Sequence, residues 1–344
     1  VSTFIIAEAG VNHNGDLDKA LELVRIAADA GADAVKYQTF SADQLIAPGT
    51  ETVGYQKAAT GETDQHQLLN ALELSRDAWE RIVEEARRCK IEFMSTAFDH
   101  ASADYLVELG IRRVKVPSGE ITNQPFLKHL ARAGLPVILS TGMADLDEIR
   151  EAVAVVEGVQ REVLPGTPRA ERLVVLQCTS AYPTPLEDAN LAAMTTIARE
   201  LDVPIGLSDH TVGTLLAPVA VGMGARVIEK HFTLDRSLPG PDHAASLEPD
   251  ELKTMVRNIR AVEAALGDGV KTPRPSEIET RALARRGIKA ARDLAPGETI
   301  TAADIAILRP QTGLAPAQFD ALLGRTVRRA RKTGEPLQWT DVGD

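Results

Sequence analysis

The sequence predicts a (β/α)8 TIM barrel followed by a small, mostly β domain. Three observations predict it. Eight short β-rich runs alternate with amphipathic helical stretches, the alternation stops at a Gly- and Pro-rich stretch after residue 266, and the remaining tail carries a weak internal repeat. Alternation of this kind implies parallel strands with helical crossovers, and eight units are the number that closes a barrel.

Taken in order, the first strand is Phe4 to Gly10, followed by a helix from about Asp16 to Ala30, and the second strand is Ala34 to Thr39. A long insertion runs from Thr39 to Leu74; a loop of that length after a barrel strand is usually functional. The other six strands are Glu92 to Phe98, Arg113 to Ser118, Pro136 to Thr141, Leu173 to Thr179, Pro204 to His210 and Arg226 to Thr233. Between them lie segments such as DAWERIVEEARRCK and TTIARELD, whose apolar spacing suits helices packed on one face. The expected organisation is a barrel over residues 1–266, a linker over 267–280 and a second domain over 281–344. Within that domain Gly297, Glu298, Ile300, Asp304 and Ile305 align at an offset of 37 with Gly334, Glu335, Leu337, Asp341 and Val342, which predicts a compact pseudo-symmetric β fold. So short a segment is expected to have little core and to lean on another surface.

With 344 residues, 44% apolar and 25% charged, the chain has the composition of a soluble globular protein. No apolar run reaches the ~18 to 20 residues of a membrane span, and the opening segment lacks signal-peptide features, so the expectation is cytoplasmic, with no membrane partner. The only two cysteines, Cys89 and Cys178, fall in different elements and are expected to be core thiols rather than a disulfide. A net charge of −11 opposes nucleic acid, and the basic run Arg325 to Lys332, without interleaved aromatics, reads as a solvated face.

In a barrel of this type the site lies at the C-terminal strand ends. Polar residues crowd there: Glu8, Lys36, Gln38, Ser95, Thr96, Lys115, Ser118, Glu120, Ser140, Gln177, Thr179, Ser208, His210, Glu229 and His231. Residues two apart on a strand share a face, so Lys36 goes with Gln38, Ser208 with His210, and Glu229 with His231. If those pairs face the axis, two imidazoles stand on neighbouring strands ~5 Å apart. They are then either structural hydrogen-bonders or the protein part of an open metal site. Lys36 and Lys115 in an apolar mouth each require an anion. Glutamates such as Glu8 or Glu120 could supply it; alternatively, the hydroxyls nearby suit a ligand bearing both carboxylate and phosphate, as phosphoenolpyruvate does.

The strings IAEAGVNHNGD, VKYQT, STAFD, KVPSGE, LSTGM, QCTSAYPTP, IGLSDHT, EKHFT and PGPDHAASL occur in order, and the tail has IKAARDLAPGETITAADI followed by RPQTG. Together these resemble the N-acetylneuraminate (sialic acid) synthase family with its C-terminal antifreeze-like (SAF, β-clip) domain, over nearly the whole chain. The resemblance implies a metal-dependent condensation of phosphoenolpyruvate with an N-acetylmannosamine-type sugar to a nine-carbon 2-keto acid and phosphate. Legionaminic or pseudaminic acid synthesis from a 6-deoxy diacetamido sugar is the alternative. By the same resemblance Lys36, Thr96, Lys115, Ser118, Ser140 and Ser208 hold phosphoenolpyruvate, supported by Gln38. His210 and His231 bind a divalent ion, Mn in the first place and otherwise Mg or Co. Glu8 and Glu120 serve near the reacting carbons, Tyr182 and Asp242 contact the sugar, and Arg309 reaches it from a partner subunit of a domain-swapped homodimer. Gln311 stands where the family pattern has Gly, which puts the turn presenting Arg309 in doubt.

Two competing readings remain: a phosphosugar-condensing relative, which needs an extra phosphate site and lacks the tail, and an ice- or glycan-binding protein with an inert barrel. His13 reads as a site residue or a plain turn, His66 as a sugar contact or a solvated residue, and His100 and His129 as helix-surface residues. The resemblance fails if His210 and His231 diverge while protein carboxylates neutralise both lysines.

Overall fold

A computed structural model describes residues 2–47 and 49–343. The chain forms two compact units, Val1–Gly267 and Asp268–Asp344.

The first unit is a closed eight-stranded parallel barrel in sequential order: β1 (Phe4–Gly10), β2 (Ala34–Thr39), β3 (Glu92–Ala97), β4 (Val114–Val116), β5 (Val137–Ser140), β6 (Leu173–Cys178), β7 (Ile205–Asp209) and β8 (Val227–His231). Each strand is buried on both faces, inward against the barrel axis and outward against a helix, which is why the strands read as nearly continuous apolar runs until their last residues. Ile6, Ala34, Met94, Ile138, Leu176 and Val227 fill the barrel interior as a cluster of their own. Several strands end one or two residues before the sequence suggested, with Thr141, Thr179 and His210 just outside the ladder.

The principal outer helices are α1 (Leu17–Asp29), α5 (Arg76–Cys89), α6 (His100–Glu108), α7 (Gln124–Arg132), α8 (Leu146–Val163), α10 (Ala192–Leu201), α11 (Leu216–Gly222) and α12 (Pro249–Leu266), with a four-residue α9 (Arg169–Arg172) before β6. Their starts are encoded locally: Asp16 caps α1 through Asp18 and Lys19 N–H, and Asp145 with Glu148 forms a capping box on α8. The insertion after β2, expected as a loop, is folded into α2 (Ala42–Leu45), α3 (Gly54–Thr60) and α4 (Gln65–Asn70), tied by a bridge between Glu51 and Asp64. It stands on a small apolar cluster of Val11, Phe40, Leu68 and Leu72.

Gly206 in β7 sets the approach of the last two strands. A Cβ there would lie 2.2 Å from the Val227 carbonyl oxygen, so only glycine lets β8 close at that height.

The second unit contains α13 (Ile278–Ala284), an antiparallel pair β9 (Gly287–Ala290) with β10 (Ile305–Leu308), α14 (Phe319–Leu322), and a second pair β11 (Thr326–Val327) with β12 (Val342–Gly343). The repeat is visible in the coordinates: Thr301 with Asp304, and Gln338 with Asp341, form the same capped single turn before β10 and β12. Contrary to the expectation of little core, Ile288, Leu294, Ile300, Leu322, Val327 and Leu337 are buried in a cluster belonging to this unit alone. No helix among the described residues is long and apolar enough to cross a membrane.

Candidate active site

The C-terminal ends of the strands open into a cavity of about 440 Å³. Glu8, Lys36, Gln38, Thr96, Lys115, Ser118, Ser140, Tyr182, Ser208, His210, His231 and Asp242 all line it. Parallel register assembles them: Glu8 is level with Lys36 on one side and His231 on the other, Gln38 with Thr96, Thr96 with Lys115, and Ser208 with Glu229. A separate, mostly apolar cavity of about 360 Å³ lies against α6 and α7 and carries less of this chemistry.

The centre is a buried cluster of four charges. Lys36 Nζ lies 2.8 Å from Glu8 Oε2 and 3.7 Å from Glu229 Oε2, and it donates to Thr96 Oγ1 at 2.8 Å. Lys115 Nζ lies 3.4 Å from Glu229 Oε1, which also accepts from Ser208 Oγ at 3.2 Å. Without a ligand anion, then, protein carboxylates neutralise both lysines, which is one half of the condition set against the resemblance. Buried ammonium groups cannot stand unpaired, so the charges close on themselves. The partners are Glu8 and Glu229, not Glu120. Burial pushes Glu8 up to about 7 despite the pull of Lys36. For Glu229 burial acts in the same direction, but Lys115 and Lys36 together hold it below the ordinary carboxylate range. Burial lowers Lys115, and the nearby Glu229 only partly offsets this.

The other half of the condition is not met, because the two imidazoles face one another, with ring centroids 5.4 Å apart. His210 Nδ1 is 2.8 Å from the Thr179 carbonyl; that contact places the proton on Nδ1 and leaves Nε2 with a lone pair. His231 Nδ1 is buried without a hydrogen-bond partner, 3.7 Å from Asp242 Oδ2, and burial keeps this imidazole well below its ordinary pKa and therefore neutral. Two facing imidazoles, one of them with an orphaned ring nitrogen, fit an open site that leaves positions for water and substrate oxygens. No group of three or more His, Cys, Asp or Glu among the described residues makes a closed metal cage. Burial raises Asp242 to about 6. Tyr182 packs on His210 at 4.1 Å between centroids.

Ser140 Oγ is buried and has no hydrogen-bond partner among the described residues, as a group kept for a ligand would be. Ser118 Oγ accepts from Gly142 N at 2.9 Å. A Cβ on Gly142 would lie 2.2 Å from Ser180 Oγ and 2.9 Å from Ser118 Oγ, so this glycine is required for the hydroxyls to gather.

Glu120 is half-exposed and accepts from Asn123 Nδ2 at 2.7 Å; it is not among the cavity-lining residues. Arg309 is exposed and belongs to the second unit. Two residues were undervalued in the sequence. Glu229 appeared only as a companion of His231, and alternation along β8 already put it on the axial face. Cys178, expected in the core, is buried at the cavity wall with Sγ 3.5 Å from Ser118 Oγ; its place one residue before the expected end of the sixth strand was the available signal. Among the other histidines, His13 is wholly buried and its Nδ1 accepts from Gly15 N at 3.0 Å, so it holds a turn. His66 pairs with Asp43 and His129 with Asp104.

Residues 23–271 match the NeuB family and residues 285–343 the SAF domain. The chain belongs to the NeuB family. The N,N'-diacetyllegionaminic acid synthase of Legionella pneumophila is 49% identical over 343 residues, 99% of this chain and 95% of that protein. The N-acetylneuraminate-9-phosphate synthase of Mus musculus is 36% identical over 305 residues, 87% of this chain and 80% of that one. The solved structure of the spore coat polysaccharide biosynthesis protein SpsE from Bacillus subtilis superposes with a TM-score of 0.65 at 34% identity, covering 100% of this chain and 96% of that chain. As a NeuB-family member with a SAF domain, the chain is an enzyme, a synthase of the nonulosonic acid type.

Proposed function

We propose that this synthase condenses phosphoenolpyruvate with an N-acetylmannosamine-type amino sugar, specifically the 6-deoxy diacetamido form, giving a legionaminic-type nine-carbon 2-keto acid and phosphate. One observation carries the reading: a single cavity holds two buried lysines ringed by hydroxyls beside two facing imidazoles. The 6-deoxy diacetamido sugar is favoured over the other N-acetylmannosamine forms for two reasons. The diacetyllegionaminic acid synthase is more similar to this chain than the 9-phosphate synthase. In addition, the cavity wall supplied by the insertion (Val53, Gln56, Gln65, Leu69 and Leu72) carries no charge among the described residues to receive a second phosphate.

Lys36 and Lys115 exchange their glutamate partners for the carboxylate and phosphate of phosphoenolpyruvate, while Thr96, Ser118, Ser140 and Ser208 donate to the same oxygens and Gln38 supports them. His210 and His231 would hold a divalent ion, Mn first and Mg or Co otherwise; when bound, it supplies Lewis-acid polarisation of the open-chain sugar aldehyde. C3 of phosphoenolpyruvate forms the new bond to the aldehyde carbon, whose oxygen becomes a hydroxyl on taking up a proton. Water adds to the cationic C2 and gives a proton to Glu8, the glutamate that lines the cavity; the C–O bond then breaks, phosphate leaves and the 2-keto group forms. Tyr182 and Asp242 contact the sugar, and Arg309 contributes from a second copy in a domain-swapped homodimer. Both cysteines are free thiols, and phosphoenolpyruvate belongs to central metabolism, so we assign the reaction to the cytoplasm.

The test is a panel of sugars offered with phosphoenolpyruvate and Mn²⁺, following phosphate release. The 6-deoxy diacetamido sugar should give the highest kcat/KM. Preference for unmodified N-acetylmannosamine or its 6-phosphate would reassign the substrate.

A further inference from the structure

The cavity wall has two chemically different halves. The strand ends and the loop after β8 supply the charges: Glu8, Lys36, Lys115, Glu229 and the two histidines from the strand ends, and Asp242 from the loop. Among the described residues, the insertion between β2 and α5 supplies only apolar side chains and two carboxamides, Gln56 on α3 and Gln65 at the start of α4. This half is built, not draped. Thr52 Oγ1 donates to the Glu62 carbonyl at 2.7 Å, Gln65 N to the Thr50 carbonyl at 3.1 Å, and the Glu51 to Asp64 bridge joins the two arms. Within it, Gln56 Oε1 is buried and has no hydrogen-bond partner among the described residues. A buried acceptor left unmade is destabilising, and a donor from a ligand removes that cost.

The direction of the substrate follows from the chemistry. The sugar's aldehyde carbon must meet phosphoenolpyruvate among the charges at the strand ends, and its C2 substituent begins two bonds away from that centre. The far carbons, C4 to C6, are carried outward, toward the insertion. Relative to N-acetylmannosamine, the 6-deoxy diacetamido sugar differs at those carbons alone: an acetamido group replaces the C4 hydroxyl, and a methyl replaces the C6 hydroxymethyl. An acetamido group offers an N–H donor next to a methyl. The wall offers an acceptor, Gln56 Oε1, among Val53, Leu69 and Leu72. A hydroxyl can supply the donor but leaves the apolar surface unfilled.

Resting on the 6-deoxy diacetamido reading above, we infer that Gln56 is a specificity-determining residue whose carboxamide oxygen accepts the N–H of the sugar's C4 acetamido group. The insertion therefore selects the sugar, and the strand ends select phosphoenolpyruvate.

The experiment is steady-state kinetics of the unmodified enzyme, Gln56→Leu and Gln56→Glu, with saturating phosphoenolpyruvate and with either the diacetamido sugar or N-acetylmannosamine. Gln56→Leu should lower kcat/KM for the diacetamido sugar by roughly 10- to 100-fold, mostly through KM, as expected for a buried polar group left unpaired. On N-acetylmannosamine, whose C4 hydroxyl can donate to the same oxygen but is not held by the apolar surface, the loss should be several-fold smaller, and the KM for phosphoenolpyruvate should stay constant, which also reports an intact fold. Gln56→Glu, which keeps an acceptor at that position, should recover part of the loss. Equal losses on both sugars, or no loss on either, would overturn the role of Gln56 while leaving the function standing. An unmodified enzyme that prefers N-acetylmannosamine overturns the sugar assignment itself, and this inference with it.

Discussion

Glu229 sits between two lysines that come from different strands, Lys36 on β2 and Lys115 on β4, and Ser208 donates to it from the neighbouring strand. Its carboxylate therefore pairs with both lysines, and in the proposed reaction the anionic ligand takes its place. Glu8 has the other role. Burial brings it up to about 7, where a carboxylate can take and return a proton near neutral pH, and it lines the cavity that Glu120 does not. We expect Glu8→Gln to lower kcat by about 100-fold or more, in the range of a lost general base. Glu120→Gln should retain most of the activity. Turnover measured by phosphate release distinguishes the two, and the reverse ranking would move the proton to Glu120.

At the scale of elements, the site depends on β7 and β8 being locked at one height. The register pairs Ser208 with Glu229 and Asp209 with Lys230, so His210 and His231 emerge side by side. The odd-face residues do the locking: Lys230 Nζ meets Asp209 Oδ2 at 2.8 Å with both side chains buried, and it also donates to the Thr211 carbonyl. Removing one charge strands the other. Asp209→Asn should destabilise the protein by about 3–5 kcal/mol in urea unfolding. The double change Asp209→Asn with Lys230→Met should recover much of that loss, because no unpaired charge remains. A loss in the double variant equal to the sum of the single losses would contradict the pairing. The strands were readable because parallel barrel strands are apolar up to their functional last residues. The helices of the insertion were not, since four to seven residues give too little periodicity to separate a helix from a loop. The meeting of Lys36 with Glu229 was equally hidden: it depends on β8 closing onto β1, and no spacing along the chain encodes that contact.

For the whole molecule, the second unit has its own core and a repeated capped turn, so it is a folded module and not a tail. The repeat at an offset of 37 was legible because Gly and Asp recur where a turn and its cap need them. Arg309 sits in that module, and the proposed swapped dimer makes a statement about mixing. Arg309→Ala and Lys115→Ala, each inactive alone, should regain part of the activity when co-refolded or co-expressed, because one combined site then carries both native residues. A mixture that stays inactive would place Arg309 within the same copy or outside the site.

The central claim is that facing imidazoles from β7 and β8 and a lysine-lined cradle act together on phosphoenolpyruvate and an amino sugar. The most direct measurement is phosphate release from phosphoenolpyruvate, with and without the sugar, before and after chelation of divalent ions. The account predicts release only with the sugar present, loss on chelation, and recovery on adding Mn²⁺ to the native enzyme but not to the His210→Ala, His231→Ala double variant. Sugar-dependent release that persists undiminished in the chelated enzyme or in that double variant would contradict it.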